Sequence, residues 1–534
     1  MKIAKWIYPL IILGLTSLVY GKFLWNPIVF DDIYFFLTPE ATLEKFTSSF
    51  NLLSVRWLAY ATLAFPLKFF GTDLINFRLP ALLLHAATGV ALFLTLKEVY
   101  ALPTFSLAKN NSKQTLSLLA LLSACIFVTH PIAAYAAGYL IQRTIVLATL
   151  FSLLSLLTYL RYLSTKSTWL LFCSLCMYLL AVLSKEHAIM LPAFILVISM
   201  MLDKNLFKQK LIISFFIMCG IIGLYVVLQK AGLIGHVYEP DASPMLIAEG
   251  TTYSHPLLLS IIGQCCLYFK YLALLVFPNP AWLSIDMRET FPTNIWSLQL
   301  VGMIGFFSYG FIAFKLVFKR NSYSLLGLAL LFPWILFFTE LSVVRIQESF
   351  VLYRCYLWMP GIFIAIPLLL TKINIKSLYA LLIFIVLCFS GLTINRLTTF
   401  SHPLLLWDDA RILLGDNLNY PGADRIFYNC GIEFKNLYQY QDAITNLKVA
   451  IQIRPNYSPY LTALGNTYAL SMDYYNAIYS YQQAIKVDPN QARTYQLLGL
   501  AYSKTNQNEL AKDSYLKACT LGRKDVCESS GNTP

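Results

Sequence analysis

Asp31 and Asp32 stand side by side in the phrase Asn26-Pro27-Ile28-Val29-Phe30-Asp31-Asp32, just beyond an uncharged tract over 6–21. A carboxylate so placed can take a proton from a hydroxyl nucleophile. Its neighbour can raise that carboxylate's pKa by like-charge repulsion, or hold a cation. The same pair also suits a solvated membrane edge. Five cations share the segments with comparable flanks: Arg56, Arg78, Arg143, Lys185 and Arg354. Guanidinium and ammonium groups are what a phosphate or diphosphate leaving group needs. Glu186 follows Lys185 directly and is suited to orient it. His85 and His130 belong to the same series, and each fits a supporting role or a satisfied structural histidine equally well. There is no Gly-rich phosphate loop and no βαβ pattern, so a nucleotide-sugar enzyme of Rossmann type is disfavoured.

The elements that must carry these groups follow from composition. Of 534 residues, 58% are hydrophobic and 13% charged, with a mean hydropathy of +0.62. An ordinary soluble domain carries about 25% charge. Disorder, fibrous structure and a soluble enzyme of this length are excluded, and a polytopic membrane protein is left. Forty Lys+Arg against 27 Asp+Glu give a formal +13. In such a chain basic residues anchor cytoplasmic loops, so nucleic acid is not the implied partner.

Uncharged tracts near 6–21, 79–96, 114–129, 144–160, 167–183, 187–202, 211–229, 256–278, 290–314, 321–339, 355–371 and 377–395 are the spanning candidates, a span needing about 20 apolar residues. Basic clusters at Lys2/Lys5, Lys97/Lys109/Lys113, Arg161/Lys166, Lys204/Lys208/Lys210, Lys315/Lys319/Arg320 and Lys372/Lys376 are expected on the cytoplasmic side. Consecutive clusters must then enclose an even number of crossings. The interval from Lys210 to Lys315 holds three tracts, so one does not cross. The tract 256–278, bounded by prolines and interrupted by Lys270, is the expected exception. About eleven transmembrane helices follow, with a cytoplasmic N-terminus and an extracytoplasmic C-terminal region. This makes a multi-pass protein of the inner (cytoplasmic) membrane.

From about residue 405 the composition changes and a period of 34 appears. Gly431, Gly465 and Gly499 keep that spacing, as do Ala443, Ala477 and Ala511, then Ala450, Ala484 and Ala518, then Phe434, Tyr468 and Tyr502. Pro455 and Pro489 close two successive units. The pattern resembles the tetratricopeptide repeat, in which small residues let two antiparallel helices approach. About three such repeats make an α-solenoid, whose concave side usually holds a peptide or protein. The chain is thus expected to be all-α, with a membrane domain over 1–396, a connector over 397–420 and a repeat domain over 421–534. Cys519 and Cys527 close the end of the last hairpin and resemble the disulfides of secreted helical-repeat proteins, which suit an oxidising compartment. Cys173 and Cys176 lie within an apolar tract, where redox chemistry is not expected. No cysteine pair has zinc-like spacing beside histidines, so no metal ligands are assigned.

The order of phrases carries a further resemblance. Val29-Phe30-Asp31-Asp32 is followed by Val55-Arg56-Trp57-Leu58 and then by Asn76 through His85. His130-Pro131 through Gln142-Arg143 comes next, with glutamine where a glycine is usual. Ser184-Lys185-Glu186 is intact. Tyr353-Arg354-Cys355-Tyr356 with Met359-Pro360 lacks the usual glutamate before Arg354, and Leu406-Trp407-Asp408-Asp409-Ala410 leads into the repeats. This series is similar to membrane glycosyltransferases of the GT-C fold, specifically the transmembrane-and-tetratricopeptide-repeat O-mannosyltransferase family and its bacterial relatives.

The resemblance implies an inverting transfer of sugar from a polyprenyl-phosphate donor to a protein Ser or Thr hydroxyl, possible acceptors being pilin or another envelope protein. Asp31 or Asp32 would be the base, the family's base being the first of its acidic pair. Arg56, Arg78, Arg143, Lys185 and Arg354 would contact the lipid phosphate, and His85, His130 and Glu186 would support. No resident cofactor is implied beyond the lipid-linked donor, and no divalent metal is supported. The expected partners are membrane lipids, the polyprenyl-phosphate sugar and an acceptor protein held by the repeats. Two other classes compete: a lipid-linked oligosaccharide ligase or polymerase, and a non-enzymatic membrane scaffold with a protein-binding repeat. A transporter is disfavoured, because the polar residues gather at one membrane face instead of the midplane.

Overall fold

In a computed structural model of the chain, residues 6–33, 53–105, 107, 111–203, 205–239 and 255–527 are described. Every regular element among them is helical. The chain divides into two compact units, one of residues 1–285 and 290–402, the other of 286–289 and 403–534. Part of the stretch expected to be a connector is therefore a helix of the second unit, Pro403–Leu414.

Among the described residues the α-helices of twelve or more residues in the first unit are α1 (Ile7–Tyr20), α2 (Trp57–Phe70), α3 (Ile75–Tyr100), α4 (Lys113–Thr129), α5 (Arg143–Thr165), α6 (Thr168–Ser184), α7 (Leu191–Leu202), α8 (Lys210–Gln229), α9 (Pro256–Val276), α10 (Gln299–Val317), α11 (Tyr323–Phe337) and α12 (Ile375–Thr398). Their sequences are apolar nearly all round. Several of the hydroxyls they carry are absorbed within the helix: those of Thr16, Thr95, Ser123, Thr129 and Thr149 donate to the carbonyl four residues back. That lets a polar side chain sit in an apolar tract without an unsatisfied group. Close approach uses small residues: a Cβ at Gly302 would lie 2.6 Å from Cα of Cys266 on α9. Large apolar side chains such as Ile217, Ile221 and Leu224 on α8, and Phe307 and Phe311 on α10, remain exposed. Such belts are what a lipid-facing surface requires.

Among the described residues eight helical segments are long and apolar enough to cross a membrane, or nine if Lys113–Thr129 and the bent continuation Pro131–Ala137 make one span. This is fewer than the eleven expected. Thr168–Ser184, Glu186–Leu202 and Met359–Thr371 fall below the length of a full span. Seventeen residues rise only about 26 Å against a hydrocarbon core near 30 Å. Ser184-Lys185-Glu186 interrupts the first two of these, and Pro360 and Pro367 remove amide donors from the third. The tract expected not to cross behaves differently too. Pro256–Val276 is a continuous 21-residue apolar helix, and Lys270 is accommodated 4.9 Å from the ring centroids of both Trp282 and Phe350. Length and composition therefore give no ground for setting aside 256–278 among the tracts. Lys2, Lys5, Lys109 and Lys204, used in the parity argument, lie outside the described residues.

In the second unit α13 (Pro403–Leu414) packs on the first helix of three successive helical hairpins: α14 (Ala423–Asn436) with α15 (Tyr440–Ile453), α16 (Ser458–Leu470) with α17 (Tyr474–Val487), and α18 (Ala492–Lys504) with α19 (Asn508–Thr520). The periodic residues are the ones that make this packing possible. A Cβ at Gly431, Gly465 or Gly499 would lie within 3 Å of Leu447, Tyr481 or Tyr515 on the partner helix. Ala443, Ala477 and Ala511, and Ala450, Ala484 and Ala518, are all buried. Cys519 and Cys527 form a disulfide with Cα atoms 5.1 Å apart.

Candidate active site

The acidic pair sits where α1 runs out through a turn of 3-10 helix over Gly21–Trp25 into extended chain at Asn26. Arg78, in the first turn of α3, pins this stretch: its guanidinium donates to the carbonyls of Asn26 (2.9 Å), Pro27 (2.6 Å) and Gly138 (3.3 Å). Phe30 then adopts φ +57°, a left-handed conformation that is strained for an aromatic residue and concentrates at functional sites.

After that turn the two carboxylates part company. Asp32 is 1% exposed, and its carboxylate accepts the amides of Ile141 (2.8 Å) and Leu140 (3.0 Å) at the start of α5. Burial pushes its pKa up to about 7, against the lowering effect of the Ile141 amide, Arg78 and the Leu140 amide. Asp31 donates its backbone amide to the Tyr139 hydroxyl oxygen (3.1 Å) and lines a cavity of about 230 Å³.

Four cations line the same cavity: Arg56, Lys185, Arg345 and Arg354. Arg56 precedes α2 at φ +69°. Its amide donates to the Leu183 carbonyl (2.7 Å), and its guanidinium grips Glu186 through Nε (3.0 Å) and Nη2. Lys185 occupies the extended break after α6, with φ −159°. Adjacent side chains in extended backbone diverge, so Glu186 braces Arg56 and does not orient Lys185 as the sequence suggested. The Lys185 ammonium donates instead to Gln142 Oε1 (3.1 Å) and lies 4.6 Å from the Tyr353 ring centroid. Burial lowers its pKa well below the ordinary lysine value, and Arg56 adds to the shift. Gln142 thus supplies a neutral acceptor for the Lys185 ammonium.

The other side of the cavity is organised by Glu340. Its carboxylate meets His187 Nε2 at 2.9 Å, Arg345 Nε at 3.0 Å and Arg354 Nη1 at 3.2 Å. The side chains of Glu340, Arg345 and Arg354 are each 3% exposed. Burial would lower Arg354, but Glu340 and then Tyr353 more than offset it and hold its pKa above the usual value. The carboxylate that holds Arg354 thus comes from fourteen residues upstream. Arg345 also lies 4.7 Å from the Tyr238 ring centroid.

The remaining sequence candidates are placed elsewhere. Arg143 donates to the carbonyls of Thr62 (2.7 Å) and Phe77 (2.5 Å). With Arg78 also committed to main-chain carbonyls, neither arginine lines the cavity, and both serve to tie helix ends together. His85 lies between the Tyr356 hydroxyl (2.6 Å) and the Val128 carbonyl (3.1 Å). His130 contacts the Leu275 carbonyl (3.2 Å) and accepts the Ile132 amide (3.2 Å). Both histidines are fully buried and occupy packing positions. Among the described residues no three His, Cys, Asp or Glu side chains converge as a metal site.

Sequence reasoning brought Asp31, Arg56, Lys185 and Arg354 to the cavity and missed Glu340, Arg345 and His187. The available signal was a carboxylate and an arginine at the very end of the uncharged tract 321–339. Intramembrane and membrane-edge charges are seldom idle.

Comparison with known families supports the repeat. Residues 473–506 match a family model described as TPR repeat, and residues 492–525 one described as tetratricopeptide repeat. Such repeats generally mediate protein–protein interaction. A comparison with curated proteins finds no match. The class defined so far is an all-helical protein with apolar helices suited to a membrane and C-terminal TPR repeats.

Proposed function

We propose that the chain is an integral-membrane glycosyltransferase of GT-C type, moving a sugar from a polyprenyl-phosphate donor to a hydroxyl of an acceptor protein. The observation that carries this reading is the convergence of Asp31 with Arg56, Lys185, Arg345 and Arg354 on one cavity. A base beside a cationic wall is the pairing that attack by a hydroxyl and departure of a phosphate require. Asp31 takes the hydroxyl proton as the acceptor oxygen bonds to the anomeric carbon from the face opposite the phosphate. The carbon–oxygen bond to phosphate breaks, and the lipid monophosphate leaves with one additional negative charge. Lys185 is suited to stabilise that charge, because its ammonium is held by the neutral amide of Gln142 and not by a carboxylate. Asp32 acts through the fold, fixing the start of α5.

A cavity of about 230 Å³ is smaller than the roughly 300–1,000 Å³ typical of drug-sized ligands. It favours a single sugar-phosphate headgroup over an oligosaccharide, and so this reading over a ligase. The Cys519–Cys527 disulfide favours an extracytoplasmic repeat domain, which would recruit the acceptor while the N-terminus faces the cytoplasm.

The test is intact-mass measurement of envelope proteins from cells with the chain, without it, and with Asp31→Asn. A hexose-sized mass increment present only with the unaltered chain is expected. Identical masses in all three samples would remove the glycosyltransferase reading.

A further inference from the structure

Glu340 is 2% exposed and makes close contact with three cationic or protonatable groups, two of which are arginines that line the cavity. A buried ionic cluster of this kind is a poor way to stabilise a fold. Its desolvation penalty commonly exceeds its Coulombic gain, and well-packed apolar residues of the same volume often do as well or better. What a carboxylate supplies in such a place is direction. Arg345 and Arg354 approach it with one nitrogen each, which leaves the rest of each planar fork to face other partners. Arg345 Nη1 is buried and has no hydrogen-bond partner among the described residues, although a buried guanidinium nitrogen left unpaired is costly. The Tyr238 ring restrains the same guanidinium. His187 carries the cluster further, with Nδ1 3.9 Å from Glu186, the carboxylate that holds Arg56. One buried acid thus touches two of the four cavity cations directly and adjoins, through His187, the carboxylate that holds a third.

We infer that Glu340 is the positioning residue of the cavity wall, fixing the forks of Arg345 and Arg354 so that their free N–H groups serve a single tetrahedral oxyanion. The ligand class is a phosphodiester headgroup, for which a fixed fork discriminates by shape as well as charge. The inference depends on the glycosyltransferase reading only for its turnover measurement.

The test uses the full chain in detergent, with two polyprenyl lipids of equal length and single negative charge, one headed by a phosphodiester and the other by a carboxylate. The unaltered chain should prefer the phosphodiester. Glu340→Gln removes a negative charge beside the site, so neither lipid should bind more weakly, yet the preference should fall about tenfold as the forks lose their anchor. Sugar transfer, where measured, should fall about 10–100-fold with donor Kd unchanged or tighter. Glu340→Asp keeps the charge but retracts it by one methylene, and should give intermediate values. A folded Glu340→Gln with wild-type preference overturns the inference, as does absence of any preference in the unaltered chain. Failure of both variants to fold also overturns it, by making Glu340 a structural residue. Absence of transfer by the unaltered chain, with the lipid preference behaving as stated, counts against the glycosyltransferase reading alone.

Discussion

The repeat unit and the cavity of the membrane unit are built by opposite rules. In the repeat, each helix packs on its sequence neighbours, so Gly465 faces Tyr481 sixteen residues away and the next hairpin repeats the contact as Gly499 with Tyr515. In the cavity, Asp31, Arg56, Lys185 and Arg354 come from four separate segments spread over more than three hundred residues. Local packing leaves a periodic trace in sequence, whereas a convergent site leaves only an order of short phrases. The cavity also separates neighbours: Asp31 and Asp32 share a phrase but not a role.

The largest effect that can break this picture concerns those two residues. Asp31→Asn keeps size and hydrogen bonding but removes the proton acceptor, and transfer should fall about 10²–10⁴-fold with donor affinity little changed. Asp32→Asn keeps one acceptor oxygen for the amides of Leu140 and Ile141 and should leave folded enzyme substantially active. Transfer rates and donor affinities at matched folded concentration decide it. Equal loss in both variants would merge the two roles, and normal turnover in Asp31→Asn would take the carboxylate out of the mechanism.

A similar contrast divides the arginines. Arg354→Ala leaves Glu340 with one fewer cation and opens the cavity wall, so donor binding and turnover should weaken together by about 10²-fold or more. Arg143→Ala frees the carbonyls of Thr62 and Phe77 and should lower thermal stability, while folded molecules keep donor affinity within about threefold. Binding assays on the surviving folded fraction separate the cases. A large affinity loss in folded Arg143→Ala would return that residue to the phosphate.

What was legible in the sequence follows from how each feature is held. Glycine and alanine recur every 34 residues because two helices can approach closely only there. Most apolar tracts became helices because a residue facing lipid has few alternatives. Span count failed where a charged phrase or prolines shorten a helix, as around Lys185 and in Met359–Thr371. At 256–278 the helix runs on unbroken, because aromatic rings accommodate Lys270. Arg78 and Arg143 looked like phosphate ligands because sequence gives charge without direction. Main-chain carbonyls, which no pattern reports, are what they bind. Glu340 was hidden for the converse reason, as it lies fourteen residues from Arg354, which it holds.

A pH experiment sharpens the division between the carboxylates. Asp32 titrates near 7 in the fold and near 3.9 in an unfolded chain. The folded state therefore binds the extra proton across that interval, and its contribution to stability is greatest below about pH 4 and declines as pH rises towards 7. The full shift corresponds to roughly 4 kcal/mol as an upper bound. Thermal midpoints of the chain and of Asp32→Asn between pH 5 and 8 should diverge, the variant losing less stability as pH rises. Parallel curves would mean that Asp32 remains ionised throughout, held by its two amides.

The smallest expected effect belongs to the end of the repeat. The Cys519–Cys527 link joins residues eight apart in sequence, close enough that chain-entropy arguments give only about 2.5 kcal/mol. A stacked array shares its stability between nearest neighbours, so the last hairpin, flanked on one side only, should absorb most of the loss. Cys519→Ser or reduction should raise amide exchange over 508–527, leave 423–487 protected, and leave cavity binding of lipid phosphate unchanged. The location of the bond is itself diagnostic, because disulfides persist in oxidising compartments. Chain isolated under thiol-blocking conditions should carry Cys519 and Cys527 oxidised. If both are recovered as blocked thiols, the proposed extracytoplasmic placement of the repeat loses the argument from its disulfide, and the proposed acceptor would have to be sought on the other side of the membrane.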